Sequence, residues 1–270
     1  MKIHKENIKE LKYFTELNEE DKKHLFCKNM YINEFIKKDN IIYHKKHTSL
    51  ERIVNELLNE MISDYFELKT VHSTLYKDDN CLYLLNKLFT NKNNKYSYLD
   101  DILFPNLSLH DSLYNLDKLN LIYDSEYNKK YTITNKSCEE LKLNLKKLVV
   151  RDFITMLSDR WSANIIFEYD KSNIKLMPVF DYEMSFKQGS ENPYINIIKM
   201  NLYNDKDIEY IKNDIIFQQL LEKAMLINMK EFFSKLKEKH NIKLSSNEKW
   251  DYENIIKERK NTIKSYKLIK

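Results

Sequence analysis

The sequence predicts an α+β fold, and three patterns in its 270 residues carry that prediction. In residues 1–92, β-prone runs separated by polar turns flank one strongly periodic helical segment. From Tyr98 onward the apolar positions recur mainly at helical spacing, interrupted by a hairpin pattern between Ile165 and Phe180. The hydrophobic fraction, 42%, is high enough to bury a core and argues against wholesale disorder. The polar turn Asn91 to Asn94 divides the chain into a small first part, 1–92, and a mainly helical second part, 93–270.

Lys5 to Phe14 and Glu19 to Phe26 have the spacing of two short amphipathic helices, with Asn18 as N-cap of the second. Met30 to Ile36 and Ile41 to Lys45 read as a hairpin turning through Lys38-Asp39-Asn40. Ser49 caps a helix in which Leu50, Ile53, Val54, Leu57, Leu58, Met61 and Ile62 keep helical period through Tyr65. Two further β-like runs, Leu68 to Tyr76 and Cys81 to Thr90, are split by the turn Lys77 to Asn80. With the earlier hairpin they compose a small antiparallel sheet. Beyond the boundary, Ser108 caps a helical run through Leu109, Leu113, Leu116 and Leu119. Tyr131-Thr132-Ile133 is a short β-like piece, after which Thr134 or Asn135 starts a helix towards Leu148. Val149 to Leu157 sets Val150, Phe153, Ile154 and Leu157 on one face. Asp207 to His240 is helix-rich, with Ile215, Phe217, Leu220, Leu221, Ala224, Leu226 and Ile227 as core candidates; Tyr252 to Tyr266 forms a last, basic helix.

Composition removes several function classes. No run of about 18 apolar residues exists, so no transmembrane helix is expected. No apolar signal region follows the charges of Met1 to Glu6, and the expectation is a cytoplasmic protein. Cys27, Cys81 and Cys138 are too far apart for a metal motif or a disulfide framework. Net charge is +4, and residues 235–270 hold eleven Lys or Arg against five Asp or Glu, a basic segment that reads first as a solvated helix face and otherwise as a surface for nucleic acid or an acidic protein. The tyrosines are spread evenly, not clustered on a basic groove, so direct nucleic-acid binding is not expected. With Gly189 as the single glycine, no Gly-rich phosphate loop can form.

The segment Leu157 to Phe186 carries the chemistry. Asp159 is followed by Asn164 five residues on and by Asp181 seventeen beyond that. The runs Ile165-Ile166-Phe167 and Ile174 to Phe180 flank the turn Asp170-Lys171-Ser172-Asn173, so the two ends of a hairpin bring Asn164 and Asp181 side by side. Asp, Asn and Asp oxygens at one sheet edge suit a magnesium ion, which takes a few hard oxygens and leaves its other positions to water and phosphates. A phosphotransferase needs this arrangement, with one Asp on the attacking hydroxyl and an Asn and a second Asp on the metal.

Asp159-Arg160-Trp161-Ser162-Ala163-Asn164 and Pro178-Val179-Phe180-Asp181 resemble the catalytic core of the HipA-like serine/threonine kinases. Their loop runs Asp-Arg-His-x-x-Asn and their metal-binding Asp ends a Pro-x-x-Asp pattern. The loop pattern is shared with phosphatidylinositol kinases; the Pro-x-x-Asp tail is the HipA-like feature. Trp161 stands where the family has His, and Tyr182-Glu183 follow Asp181 in place of Phe-Gly.

The resemblance implies a two-lobed protein kinase-like fold with a reduced N-lobe β-sheet and a mainly helical C-lobe. It implies transfer of the γ-phosphate of ATP, with Mg²⁺, to a protein hydroxyl. Asp159 would be the base, Asn164 and Asp181 the metal ligands, and Arg160 a phosphate or loop-bracing contact. Lys45 or Lys46 would hold the phosphates, with Glu56 as its helix partner. The run Leu82 to Phe89, Leu85 included, resembles the strand whose backbone faces the adenine ring. Family members also serve as toxins paired with a DNA-binding antitoxin. The alternative is a pseudokinase, a nucleotide-binding or partner-binding module without phosphotransfer, which the absent Gly-rich loop and Trp161 favour.

Overall fold

A computed structural model of the chain describes residues 1–3, 8–11, 14–18, 34–78, 81–88, 95–98, 102–103, 121–124, 129–157, 164–170, 172–182, 184–186, 200 and 202–270. Its first part is built on a six-stranded sheet of β2 (Lys9–Glu10), β3 (Thr15–Glu16), β4 (Glu34–Lys38), β5 (Ile41–His47), β6 (Ser73–Asp78) and β7 (Cys81–Lys87). The spatial order is β2-β6-β7-β5-β4-β3, antiparallel throughout except where β2 joins β6 in parallel. The β4–β5 hairpin turns on Asp39 and Asn40, with φ of 50° and 61°. Asp and Asn are the non-glycine residues that tolerate such left-handed pairs best, so this turn forms without glycine.

Helix α1 (Leu50–Tyr65) follows β5, and the Ser49 side chain caps it by accepting from the Arg52 N–H. Its apolar positions Ile53, Val54, Leu57, Leu58 and Ile62 are fully buried. So are the polar residues Asn55, Glu56, Asn59, Glu60 and Ser63 (0–5% exposed), each of which needs partners inside the protein. The Ser73 N–H donates to Glu60 Oε1 at 3.0 Å. The Ser73 hydroxyl lies against both Glu60 Oε1 and Asn86 Oδ1. One hydroxyl proton can serve only one acceptor, so a protonated Glu60 completes the chain from Glu60 to Ser73 to Asn86. Burial raises the Glu60 carboxyl to about 8 against the pull of the Ser73 hydroxyl, which keeps that proton in place near neutrality.

Helix α2 (Asn135–Ile154), capped by Thr134, is followed by the hairpin of β12 (Ile166–Tyr169) and β13 (Ile174–Leu176). The turn is held by the Asp170 carboxylate, which accepts from the N–H groups of Ser172 and Asn173. Strand β8 (Lys95–Tyr98) adds to the outer edge of β12. Helices α3 (Asp205–Asn213), α4 (Ile215–Met225), α5 (Met229–His240) and α6 (Ser246–Ser265) complete the second part. Strands β1 (Lys2–Ile3) and β14 (Ile242–Lys243) pair with each other. One apolar cluster runs through both parts, from Leu57 and Phe66 through Leu145 and Phe167 to Phe217, Leu236 and Ile256.

Three expectations are corrected. The helix expected over Lys5 to Phe14 is replaced at Lys9–Glu10 by a strand, because Lys9 and Glu10 pair with Tyr76 and Lys77 and the sheet edge outweighs local propensity. The Phe14 ring packs edge-on against Tyr43 and Tyr76. Directly after Tyr98, where helix is expected, the described residues are strands: β9 (Ile102–Leu103), β10 (Leu121–Asp124) and β11 (Lys129–Thr132) form a separate antiparallel sheet, and the expected helices begin at Asn135. Ile215 and Leu226 are 71% and 76% exposed, because they lie at the two ends of α4, outside the stripe of Phe217, Leu221 and Ala224 that faces the core. The helices expected over Glu19 to Phe26 and from Ser108 lie outside the described residues.

Two outcomes follow from this packing. Leu221→Ala is expected to lower unfolding free energy by about 2–5 kcal/mol, whereas Ile215→Ser should change it by no more than about 0.5 kcal/mol in urea titrations. Glu60 has a folded-state affinity for its proton above that of the unfolded chain. Its contribution is therefore complete below the ordinary carboxylate range and is lost as pH rises through about 8. Thermal midpoints measured from pH 5 to 9 should fall less steeply in Glu60→Gln, whose amide N–H replaces the carboxyl proton toward Ser73.

Candidate active site

Strand alternation separates the two lysines of β5. Lys45 projects to one face, where its ammonium meets Glu34 Oε1 at 2.8 Å and lies 4.3 Å from the centre of the Tyr83 ring. Lys46 projects to the other, under which α1 packs. Its ammonium reaches Glu56 Oε1 at 2.5 Å and Asp181 Oδ1 at 2.7 Å. Of the two candidates, Lys46 is the one brought to the other site residues. Leu85 is buried in the middle of β7, its backbone flanked by Lys45 of β5 and Thr74 of β6, in the row of the sheet that holds Lys45.

Glu56 is 2% exposed, and both its carboxylate oxygens are engaged: Oε1 by Lys46 and Oε2 by the Tyr182 N–H at 3.0 Å. Burial raises the Glu56 carboxyl above its ordinary range; the Lys46 ammonium and the Tyr182 N–H oppose that shift. Asp181 adopts a left-handed backbone, φ 63°, in an Asp that tolerates it. Asn164 Nδ2 donates to Asp181 Oδ2 at 3.1 Å, so the two ends of the hairpin do meet. Lys46, Glu56, Asp181 and Asn164 therefore form one continuous polar cluster. Asp159 and Arg160, like Trp161, lie outside the described residues.

Backbone pairing sets the position of Asp181. Val179, two residues earlier, forms a parallel bridge with Thr70: the Val71 N–H donates to the Val179 carbonyl and the Val179 N–H to the Lys69 carbonyl, each at 3.0 Å. Tyr182, the residue after Asp181, is fully buried, with its hydroxyl 2.8 Å from Thr70 Oγ1 and its ring 4.2 Å from the Arg151 guanidinium carbon. The Phe186 N–H then donates to the Thr155 carbonyl at the end of α2. Asp181 is thus held between two anchored neighbours. Tyr182 gains this anchoring role only in the folded chain; its one local signal is an aromatic residue directly after the carboxylate.

His44 shares the strand face of Lys46, two residues along β5. Burial, with the Lys46 ammonium beside it, lowers its imidazole to about 4, against the attraction of Asp181. It is a neutral ring at physiological pH, packed 5.3 Å from Phe35.

Among the described residues no group of three or more His, Cys, Asp or Glu side chains gathers to hold a metal. Asp181 and Asn164 still fit magnesium, which is commonly held by one or two protein oxygens and completes its shell with water and phosphate. The Asp181 side chain is 29% exposed, so a ligand can reach its carboxylate. Among the described residues no helix is long and apolar enough to cross a membrane.

No protein-family model matches the chain, and no curated protein matches its sequence. Solved structures do match. A Helicobacter pylori proinflammatory kinase, CtkA, aligns with a TM-score of 0.57 and 17% identity over 87% of this chain and 92% of that one. The HipA, HipB and operator DNA complex of a Shewanella oneidensis MR-1 toxin–antitoxin system aligns with a TM-score of 0.49 and 10% identity. That alignment covers 95% of this chain and 64% of the other. The match to CtkA is a match of fold: the chain has an α+β, kinase-type fold.

Proposed function

We propose that this protein is a HipA-like serine/threonine kinase that transfers the γ-phosphate of ATP to a protein hydroxyl. One observation carries the reading: the Lys46 ammonium joins Glu56 to Asp181, with Asn164 on the other Asp181 oxygen. A lysine held by a helix glutamate is poised to grip nucleotide phosphates, and an Asp–Asn pair beside it is poised to hold metal against them. Asp181 and Asn164 would hold Mg²⁺, which when bound neutralises charge on the transferring phosphoryl group. Asp159 orients the acceptor hydroxyl and takes its proton. Arg160 contacts phosphate or braces the loop. A role as the toxin of a toxin–antitoxin pair, with a DNA-binding partner, follows from the family resemblance alone.

A second reading, a pseudokinase that binds nucleotide or a partner without transfer, has a specific observation in its favour. The only glycine is Gly189, so no Gly-rich turn is available to bring backbone N–H groups onto the phosphates. Phosphate binding then rests on Lys46 and the metal.

Incubation with Mg²⁺ and γ-labelled ATP separates the two. Label is expected on the protein itself or on a protein in an added lysate, with Asp159→Asn and Asp181→Asn each slowing transfer by about 10²–10⁴-fold. ATP-dependent thermal stabilisation without transfer would select the pseudokinase, and neither signal would sink the nucleotide site altogether. Within the same assay, Lys46→Ala should cut the rate by about 10²-fold or more. Lys45→Ala, on the opposite face of β5, should leave it near that of the unaltered protein; the reverse pattern would reassign the phosphate-binding lysine.

A further inference from the structure

We propose that the hydrogen bond between Asn55 and Tyr252 is a positioning latch through which the C-terminal helix α6 sets the Lys46–Glu56–Asp181 cluster. The proposal deepens the kinase reading and rests on it for its catalytic consequence. Asn55 precedes Glu56 on α1 and is 1% exposed. Its side-chain Nδ2 donates to the Ser185 carbonyl at 2.9 Å, and its Oδ1 accepts from the Tyr252 hydroxyl at 2.8 Å. One amide thereby ties α1 to the segment after Asp181 and to α6.

The next residue repeats the connection, since Glu56 Oε2 accepts from the Tyr182 N–H. Two consecutive α1 residues thus hold both ends of Tyr182 to Ser185. Consecutive helix residues are about 100° apart around the axis, so the two bonds together fix the rotation of α1 as well as its distance. Asn59 Nδ2 donates back to the Asn55 carbonyl at 2.8 Å, which adds a further polar tie within the same helix.

The α6 side is equally built. Tyr252 is 6% exposed, and its ring packs edge-on against Phe186 with centroids 5.0 Å apart. Burial first, then Glu51, Glu248 and Asp251, hold its hydroxyl in the protonated form, so it remains a donor. Helix α6 is itself pinned by a capping box at Ser245 and Glu248 and by the Lys260 ammonium on the Ile227 carbonyl. A buried amide needs both of its groups satisfied, and here the partners lie on two different elements. Apolar packing alone would be served as well by a leucine at position 55. The amide adds orientation, and the residue it orients next is Glu56.

The test uses Tyr252→Phe, which keeps the ring and removes the donor, with Tyr266→Phe on the exposed end of α6 as control. Tyr252→Phe is expected to lower kcat by about tenfold with a much smaller change in KM for ATP, as misplacement of a catalytic group does. Combined with Glu56→Gln, it should add no further loss, because the latch acts through Glu56. Full kcat in Tyr252→Phe, or losses that multiply in the double variant, would overturn the latch. Hydrogen exchange judges it independently of transfer. Amides of Asn55 to Glu60 and of Tyr182 to Ser185 should lose protection together in Tyr252→Phe while those of α4 do not. Unchanged protection overturns the latch even if the protein is a kinase. Absence of transfer in the unaltered protein, with protection lost as expected, overturns the kinase reading and leaves the latch standing.

Discussion

The Lys46 ammonium, drawn between Glu56 and Asp181, is the constraint on which the site depends. It joins a strand, a helix and the segment after a hairpin that is far away in sequence. Ion pairs of this kind add little net stability, since desolvation offsets much of the attraction. Removing one partner is costly, on the order of 3–5 kcal/mol, because a charge is left buried alone. Their value is geometric. A carboxylate that accepts from both Lys46 and the Tyr182 N–H can occupy only a narrow range of positions, and the lysine inherits that precision.

Helix α1 transmits the constraint. Most buried helices present an apolar stripe and keep polar groups in water. This one buries Asn55, Glu56, Asn59, Glu60 and Ser63 along with Ile53, Leu57, Leu58 and Ile62. Glu60 is satisfied by Ser73 on the sheet, Glu56 by Lys46 and Tyr182, and Asn55 by Ser185 and Tyr252. Apolar contacts tolerate a helix that slides or rotates a little; hydrogen bonds to several directions do not. The sheet, the segment around Asp181 and the last helix therefore share one rigid reference.

The proposed site lies where strand, helix and hairpin meet. The hairpin carries Asn164 and Asp181 to the edge of the cluster, the bridge from Thr70 to Val179 sets its depth, and Lys46 faces it from the sheet. Burial and the neighbouring Lys46 ammonium lower the His44 imidazole to about 4, so it adds no positive charge beside Lys46 near neutrality. The chain has one glycine, Gly189, so no Gly-rich phosphate loop can form.

Much of this was legible in the chain itself, wherever the signal is local. Ser49 and the apolar period after it place α1 from Leu50 to Tyr65; Asp39-Asn40 and Asp170 to Asn173 mark two hairpin turns; and the hairpin length brings Asn164 to Asp181. Helical period alone could not tell that Ile215 and Leu226 fall at exposed helix ends, nor that Lys9–Glu10 finds a sheet edge near Tyr76. The choice of Lys46 over Lys45 was equally closed to it, since adjacent strand residues differ only in which face the folded sheet turns toward α1. The sequence by itself determined the turns, the caps and the residue types of the cluster, because each depends on neighbours a few residues away. The tertiary structure alone decided which lysine meets Glu56, and that a tyrosine on the last helix holds Asn55 beside it. Those contacts span up to 197 positions of chain, and no local pattern encodes them.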